Sequence, residues 1–264
     1  LVSRRIGSFT TLVLAQLGGL LLFTGMLALP AFSLPDFQPV LFALPLVGIS
    51  GALGYVAFYR ALQLGPIALV TPIGAGYAAI VITLSLVFLR ESVPAMALAG
   101  AAVTIAGVAV TSTDWRRIRA ERSHERGGIF YALLAMTGFG VGAFLVAIFA
   151  KDTGWFGTIL LSRVGSALTL AVILGFIGFG ELRNAPAWTF APAMIMGVLD
   201  IFGFAAFARG SELGFVSITA AASVTYPLIP IIGGVLYFRE RPAPNQLAGV
   251  AIVICGLVLM AFGR

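Results

Sequence analysis

Apolar residues run along this chain in long, even stretches, with neither the alternation of a half-buried strand nor a polar stripe at helical spacing. Nine such stretches can be read, at about 8–30, 38–60, 66–89, 95–112, 128–150, 155–179, 187–208, 214–238 and 243–262. A hydrocarbon layer about 30 Å thick needs roughly 20 residues of helix to cross it, and each stretch is close to that length. Backbone groups at membrane depth must bond internally, so unalternating spans of this size are predicted to be helices rather than barrel strands. Pro, Gly and charge mark the short connections, as at Pro35-Asp36, Leu64-Gly65-Pro66 and Arg241-Pro242-Ala243-Pro244. The pattern predicts an all-α polytopic membrane protein with almost no chain left for a soluble domain.

The stretches also repeat. Residues 54–110 align with 203–259 without a gap at an offset of 149, and 17 of the 57 positions are identical. Composition would match Ala with Ala, but not Arg60 with Arg209, Tyr77 with Tyr226 and Arg90-Glu91 with Arg239-Glu240. Nearer the start the offset is 147, laying Gly7-Ser8-Phe9 over Gly154-Trp155-Phe156 and Gly18 over Gly165. The second unit carries a further helix, 128–150, whose counterpart would fall before residue 1. The expected architecture is therefore two five-helix repeats, ten helices in all, with the first absent here and nine present; a nine-helix protein is the alternative. The first repeat occupies 1–113, an Arg-rich connecting loop 114–127 and the second repeat 128–264. A unit with an odd number of helices reverses direction in the membrane, so the repeats are expected to be inverted, an arrangement found in many alternating-access transporters.

Taken in order, these motifs carry a resemblance. A small-residue helix ending in Phe-Tyr-Arg-Ala-Leu leads through a Leu-Gly-Pro turn to a Pro-bearing helix ending in Arg-Glu, and then to a Leu-Ala-Gly helix. The duplicated pattern resembles the EamA family of the drug/metabolite transporter superfamily over essentially the whole chain. The resemblance implies a ten-helix inner (plasma) membrane transporter of small metabolites with a central cavity between the halves. Members handle amino acids, sugars, nucleotide precursors and other solutes, so the substrate stays open.

Composition agrees: 60% of residues are hydrophobic and 10% charged, with a net charge of +6. Assigning connections to alternate faces puts eleven basic residues on one face and four on the other, the latter being Arg90, Lys151, Arg209 and Arg264. The positive-inside rule makes the eleven-residue face cytoplasmic and the carboxyl terminus external. The resemblance more often implies cytoplasmic termini, so both orientations stand. Arg116, Arg117, Arg119, Arg122 and Arg126 are interspersed with acids, which points to topology and headgroup contact rather than nucleic acid. Cys255 lies alone in an apolar run, where packing is its expected role, and His124 lies in the connecting loop; no metal or cofactor is expected. The expected partners are a small-molecule substrate and the lipid bilayer, for a monomer.

Chemistry can sit in few places. Arg163 and Asp200 are the two charges deep in predicted spans, where a charge is costly and usually faces a partner or a cavity. Counted from their helix ends they lie at roughly 10 and 13 Å from one membrane face, which predicts either a shared polar cavity or a pair that only fixes packing. Their repeat mates are neutral, Gln16 and Gly51. A second group lies on the matched helices 66–89 and 214–238. Thr71, Pro72, Gly74 and Gly76 precede Tyr77, while Ser217, Thr219, Ser223 and Thr225 precede Tyr226, Pro227 and Pro230. Proline frees a carbonyl and glycine permits bending, so Pro72, Gly74, Gly76, Pro227 and Pro230 are candidate hinges. Tyr77 and Tyr226, with Gln16, Thr71, Ser223 and Thr225, are candidate cavity residues, against simple interhelix packing. Tyr55, Tyr59 and Gln63 approach a membrane face and are weaker candidates, and Trp155 and Trp188 read as interface anchors. Arg90-Glu91 and Arg239-Glu240 read as gate-stabilising ion pairs or as simple turns. An intramembrane hydrolase fails on inventory, since one deep carboxylate and a loop histidine assemble neither a diaspartyl nor a His-assisted centre. A passive channel is the remaining alternative to a carrier.

Overall fold

The computed structural model describes residues 7–30, 32, 44–64, 67–112, 125–177, 185–225 and 243–263. They form helices α1 (Ser8–Met26), α2 (Leu44–Leu64), α3 (Ile67–Ala75), α4 (Tyr77–Phe88), α5 (Ala95–Ser112), α6 (Glu125–Thr153), α7 (Trp155–Ile177), α8 (Phe190–Leu213), α9 (Val216–Ser223) and α10 (Pro244–Phe262). A single 3-10 turn, Ala187–Thr189, leads into α8. Seven helical segments among the described residues are long and apolar enough to cross a membrane, so the chain is an all-α polytopic membrane protein. The expected ranges shift in several places: α2 runs on to Leu64 rather than 60, and α6 covers Glu125–Thr153 rather than 128–150, taking in the end of the expected connecting loop. Helix α8 continues to Leu213 rather than 208, and the predicted 66–89 span divides at Gly76.

The repeat is visible in local geometry. Gly7 and Gly154, repeat mates, both take positive φ, at 80° and 78°, immediately before α1 and α7. This left-handed conformation suits a residue without Cβ. Thr11 and Thr158, also mates, each return a hydroxyl to the glycine carbonyl at 2.8 and 2.9 Å. Mates α3/α4 and α9 break at one register as well. Gly76 N–H bonds the Ile73 carbonyl at 3.0 Å, and Thr225 N–H, three residues after its own acceptor Ala222, bonds at 3.3 Å. Pro72 contributes no N–H to the ladder just before the first break, a recognised cause of helix interruption.

Glycine also sets how closely the halves approach. A Cβ on Gly100 would lie 2.7 Å from the Gly256 carbonyl oxygen, and one on Gly107 would lie 3.0 Å from that of Gly249. Since Gly100 is the mate of Gly249 and Gly107 of Gly256, these are the same contact seen twice. Residue 97 meets 263 and residue 111 meets 249, so α5 and α10 cross antiparallel and the repeats are inverted. Close backbone approach through small residues is a usual driving contact between helices in lipid. A second twofold pair of crossings joins α2 to α7 at Gly48 and Gly165, and α1 to α8 at Ala15 and Gly197.

The main buried cluster collects Phe23, Val81, Ile159, Ile201, Phe207 and Val216 from both halves, with Tyr77 and Phe204 packed against it. Phe23 stacks on Phe156 at 5.3 Å between ring centroids. Trp155 meets Phe23 and Phe32 edge-on, so it is tied into this aromatic group rather than standing free as an anchor. Trp188 is 56% exposed. Cys255 is exposed on α10.

Candidate substrate site

Gln16 on α1, Tyr55 on α2, Arg163 on α7 and Asp200 on α8 meet in one polar cluster. Arg163 donates from Nη1 to Gln16 Oε1 at 2.5 Å and from Nη2 to Asp200 Oδ2 at 2.7 Å. Tyr55 donates its hydroxyl to the other carboxylate oxygen, Asp200 Oδ1, at 3.1 Å. Phe204 lies beneath the guanidinium, its ring centroid 5.1 Å from Cζ. The planar fork of Arg suits this arrangement, because separate nitrogens address separate acceptors while the flat face rests on a ring. Leaving either charge alone at this depth would cost several kcal/mol, which the direct pair and its hydrogen bonds offset.

The two charges differ in access. The Arg163 side chain is 5% exposed and that of Asp200 38%. The guanidinium is sealed by its partners, whereas the carboxylate presents an open side. Asp200 lies thirteen residues before the end of α8, deeper than a helix ending at 208 predicts; the reach of the Arg side chain closes the difference.

Two of these residues show the repeat acting within the cluster. Gln16 is the mate of Arg163 and meets it across the boundary between the halves; Tyr55 is the mate of Phe204, and each contacts one member of the ion pair, Tyr55 the carboxylate and Phe204 the guanidinium. Tyr55, expected near a membrane face, is instead inside the cluster. Tyr59 packs beside it against Leu12 and Leu170, and Gln63 accepts a hydrogen bond from Arg60 at 3.2 Å on the exposed end of α2.

The second group lies along α4 and α9. Tyr77 and Ser223 share a hydrogen bond at 2.7 Å between hydroxyls. Ser223 also bonds the Ala220 carbonyl, and Thr225 bonds that of Ala222, both at 2.8 Å, so Thr225 is engaged within its own helix end. Thr71 and Pro72 are half-buried on α3 and Gly74 is buried against Phe58. Tyr226, Pro227 and Pro230, like Arg239-Glu240, lie outside the described residues.

An open groove of about 530 Å³ lies elsewhere, along Trp155, Phe202, Ala205, Ala206 and Arg209. Its lining is mostly apolar and includes none of the polar cluster. The void and the chemistry do not coincide, and we place the candidate site at the ion pair because its two charges lie deep in their spans, with a carboxylate that is partly accessible and hydrogen-bond partners from both repeats.

Inverted apolar repeats, with an ion pair of the second repeat contacted by Gln16 and Tyr55 of the first, define a polytopic membrane protein of transporter architecture. The chain belongs to the EamA-like transporter family, of the drug/metabolite transporter superfamily, whose model matches residues 1–113 and 126–262. A probable terminal-alkyne amino-acid exporter of Streptantibioticus cattleyicolor is 27% identical over 252 residues, 89% of this chain and 78% of that protein. An uncharacterized transporter of Archaeoglobus fulgidus is 21% identical over 225 residues, 85% of this chain and 77% of the relative. An uncharacterized protein of Methanocaldococcus jannaschii is 26% identical over 136 residues, 52% of this chain but 97% of that protein, so the relative spans little more than one repeat. A crystal structure sharing 16% identity superposes with a TM-score of 0.77 over 97% of this chain and 89% of the other, which shows the common fold. The family and the relatives' names point to transport rather than catalysis.

Proposed function

We propose that this protein is a secondary transporter exporting a small amphipathic solute, an amino acid or close analogue, from the cell by alternating access. The protein would act as a monomer in the inner (plasma) membrane. The observation that carries the reading is the Arg163–Asp200 pair at 2.7 Å within the second repeat, bonded by Gln16 and Tyr55 of the first and with its carboxylate partly accessible. An incoming ammonium meets Asp200 first. As it takes over the carboxylate, Arg163 Nη2 is released to receive the substrate's own carboxylate, while Gln16 and Phe204 keep the guanidinium in place. Phe139, edge-on to Tyr55 at 5.0 Å, and Phe204 supply apolar surface for the side chain. The name of the Streptantibioticus cattleyicolor relative favours the same substrate class.

Asp200 is also the deep carboxylate available for proton coupling. The test is uptake and counterflow in proteoliposomes with amino acids, sugars and cationic drugs. Saturable counterflow of amino acids, lost in Asp200→Asn and Arg163→Gln, is expected. Unsaturable, ion-like conductance would replace the carrier with a channel, and pH-gradient-driven transport intact in Asp200→Asn would remove proton coupling.

A further inference from the structure

Helices α4 and α9 come from different repeats, run antiparallel and are joined at both ends. Near the middle of the membrane Tyr77, at the start of α4, bonds Ser223 at the end of α9. At the membrane face, Glu91 follows α4 and meets the first turn of α9. Its Oε1 accepts the Val216 N–H at 2.8 Å, and its Oε2 accepts the Ser217 N–H at 3.1 Å and the Ser217 hydroxyl. Lys151 Nζ from the end of α6 lies 3.5 Å from Oε1, and the Glu91 side chain is 5% exposed. A carboxylate at a helix N-terminus satisfies orphan N–H groups and complements the dipole. It is therefore not one of the exposed ion pairs that contribute little. The fastenings sit about 11 Å apart along α9 at 1.5 Å per residue, one at each end of that helix.

Glu212 makes a superficially similar contact, accepting the Trp155 N–H at 3.3 Å while paired with Arg209 at 2.9 Å. Its partners, α7 and α8, belong to one repeat, so rocking of the halves does not break it. Glu91 and Tyr77 join the halves themselves. In the sequence register the mate of Glu91 is Glu240 and that of Tyr77 is Tyr226, but the mates of their partners Ser217 and Ser223 are Ala68 and Gly74. Both serine hydroxyls that fasten this side are missing from the equivalent positions on the other.

We propose that Glu91–Ser217 and Tyr77–Ser223 form an inter-repeat latch, and that its two unmatched serines bias the resting protein toward closure on the Glu91 face. This rests on the transporter reading for its purpose but not for its test. Spin labels at Ser92 and Leu213, both exposed and flanking the latch from opposite repeats, report its opening in a Cys255→Ala background. Without substrate, wild type gives one short distance. In Glu91→Gln, and in the Ser217→Ala/Ser223→Ala double variant, a longer population grows at least several-fold. The double variant buries no unpaired charge and carries the prediction if Glu91→Gln fails to fold. Unchanged distances in the double variant overturn the latch. Because no substrate is used, an opened latch in a chain without counterflow supports the latch and removes the transport reading, whereas an unopened latch in a transporting chain overturns the latch alone.

Discussion

Arg163 and Gln16 occupy the same position in the two repeats, and the guanidinium of one donates to the amide oxygen of the other at 2.5 Å. Residues related by an internal twofold meet where the axis passes between the halves. Substitution of a single mate turns a symmetric contact into a polarised one: Arg supplies charge, Gln accepts and orients it, and Asp200 completes the pair.

Removing Asp200 should harm stability more than removing Arg163, because Arg163 is the more deeply buried partner and would be stranded. Breaking a fully buried pair costs about 3–5 kcal/mol; the partial exposure of Asp200 puts its loss toward the lower end of that range. Thermal unfolding in detergent is expected to rank wild type above Arg163→Gln above Asp200→Asn, with Arg163→Gln/Asp200→Asn recovering part of the loss. Strict additivity in that cycle would argue against direct coupling.

Tyr55→Phe deletes one donor to Asp200 and little volume. The carboxylate loses its orientation relative to Arg163, so apparent KM in counterflow should rise several-fold while protein yield is retained, a net hydrogen bond being worth about 1 kcal/mol. An unchanged KM would assign Tyr55 to packing alone.

At the α5–α10 crossing, Gly100→Ala and Gly107→Ala are expected to destabilise by about 1–3 kcal/mol, since the added methyl meets backbone. Gly175→Ala, where nothing lies within 4 Å, should be neutral or stabilising by up to about 1 kcal/mol through helix propensity. Paired melting curves measure the contrast, and similar melts for all three would deny the tight crossing.

The unequal distribution of basic residues predicts an external carboxyl terminus. A carboxyl-terminal reporter that works only outside the cytoplasm should be active. Activity of a cytoplasm-only reporter would reverse the orientation and place the Glu91 latch on the inner face.

Much of the fold was legible because its causes are local or periodic. Apolar length marks helices, and a shared offset marks duplication; the break at Gly76 follows from Pro72 and glycine two and four residues on. Arg163 and Asp200 stood out because charge at depth is rare. Tyr55 did not, since a tyrosine toward the end of a span reads equally as an interface residue. Glu91 was visible as a repeated motif, yet its burial against the first turn of α9 was not.

The amino-acid sequence by itself determined the helical, membrane-spanning class, the duplication and the short list of charged residues within it, because hydrophobic length, repetition and the cost of buried charge are properties of linear order. Tertiary structure alone decided which side chains meet: that Gln16 accepts from its own repeat mate, that Tyr55 completes the ion pair, and that Glu91 fastens one half to the other. Those contacts span 125 to 147 residues of chain, and only the antiparallel packing of the two halves, set by close glycine crossings, brings their partners within reach.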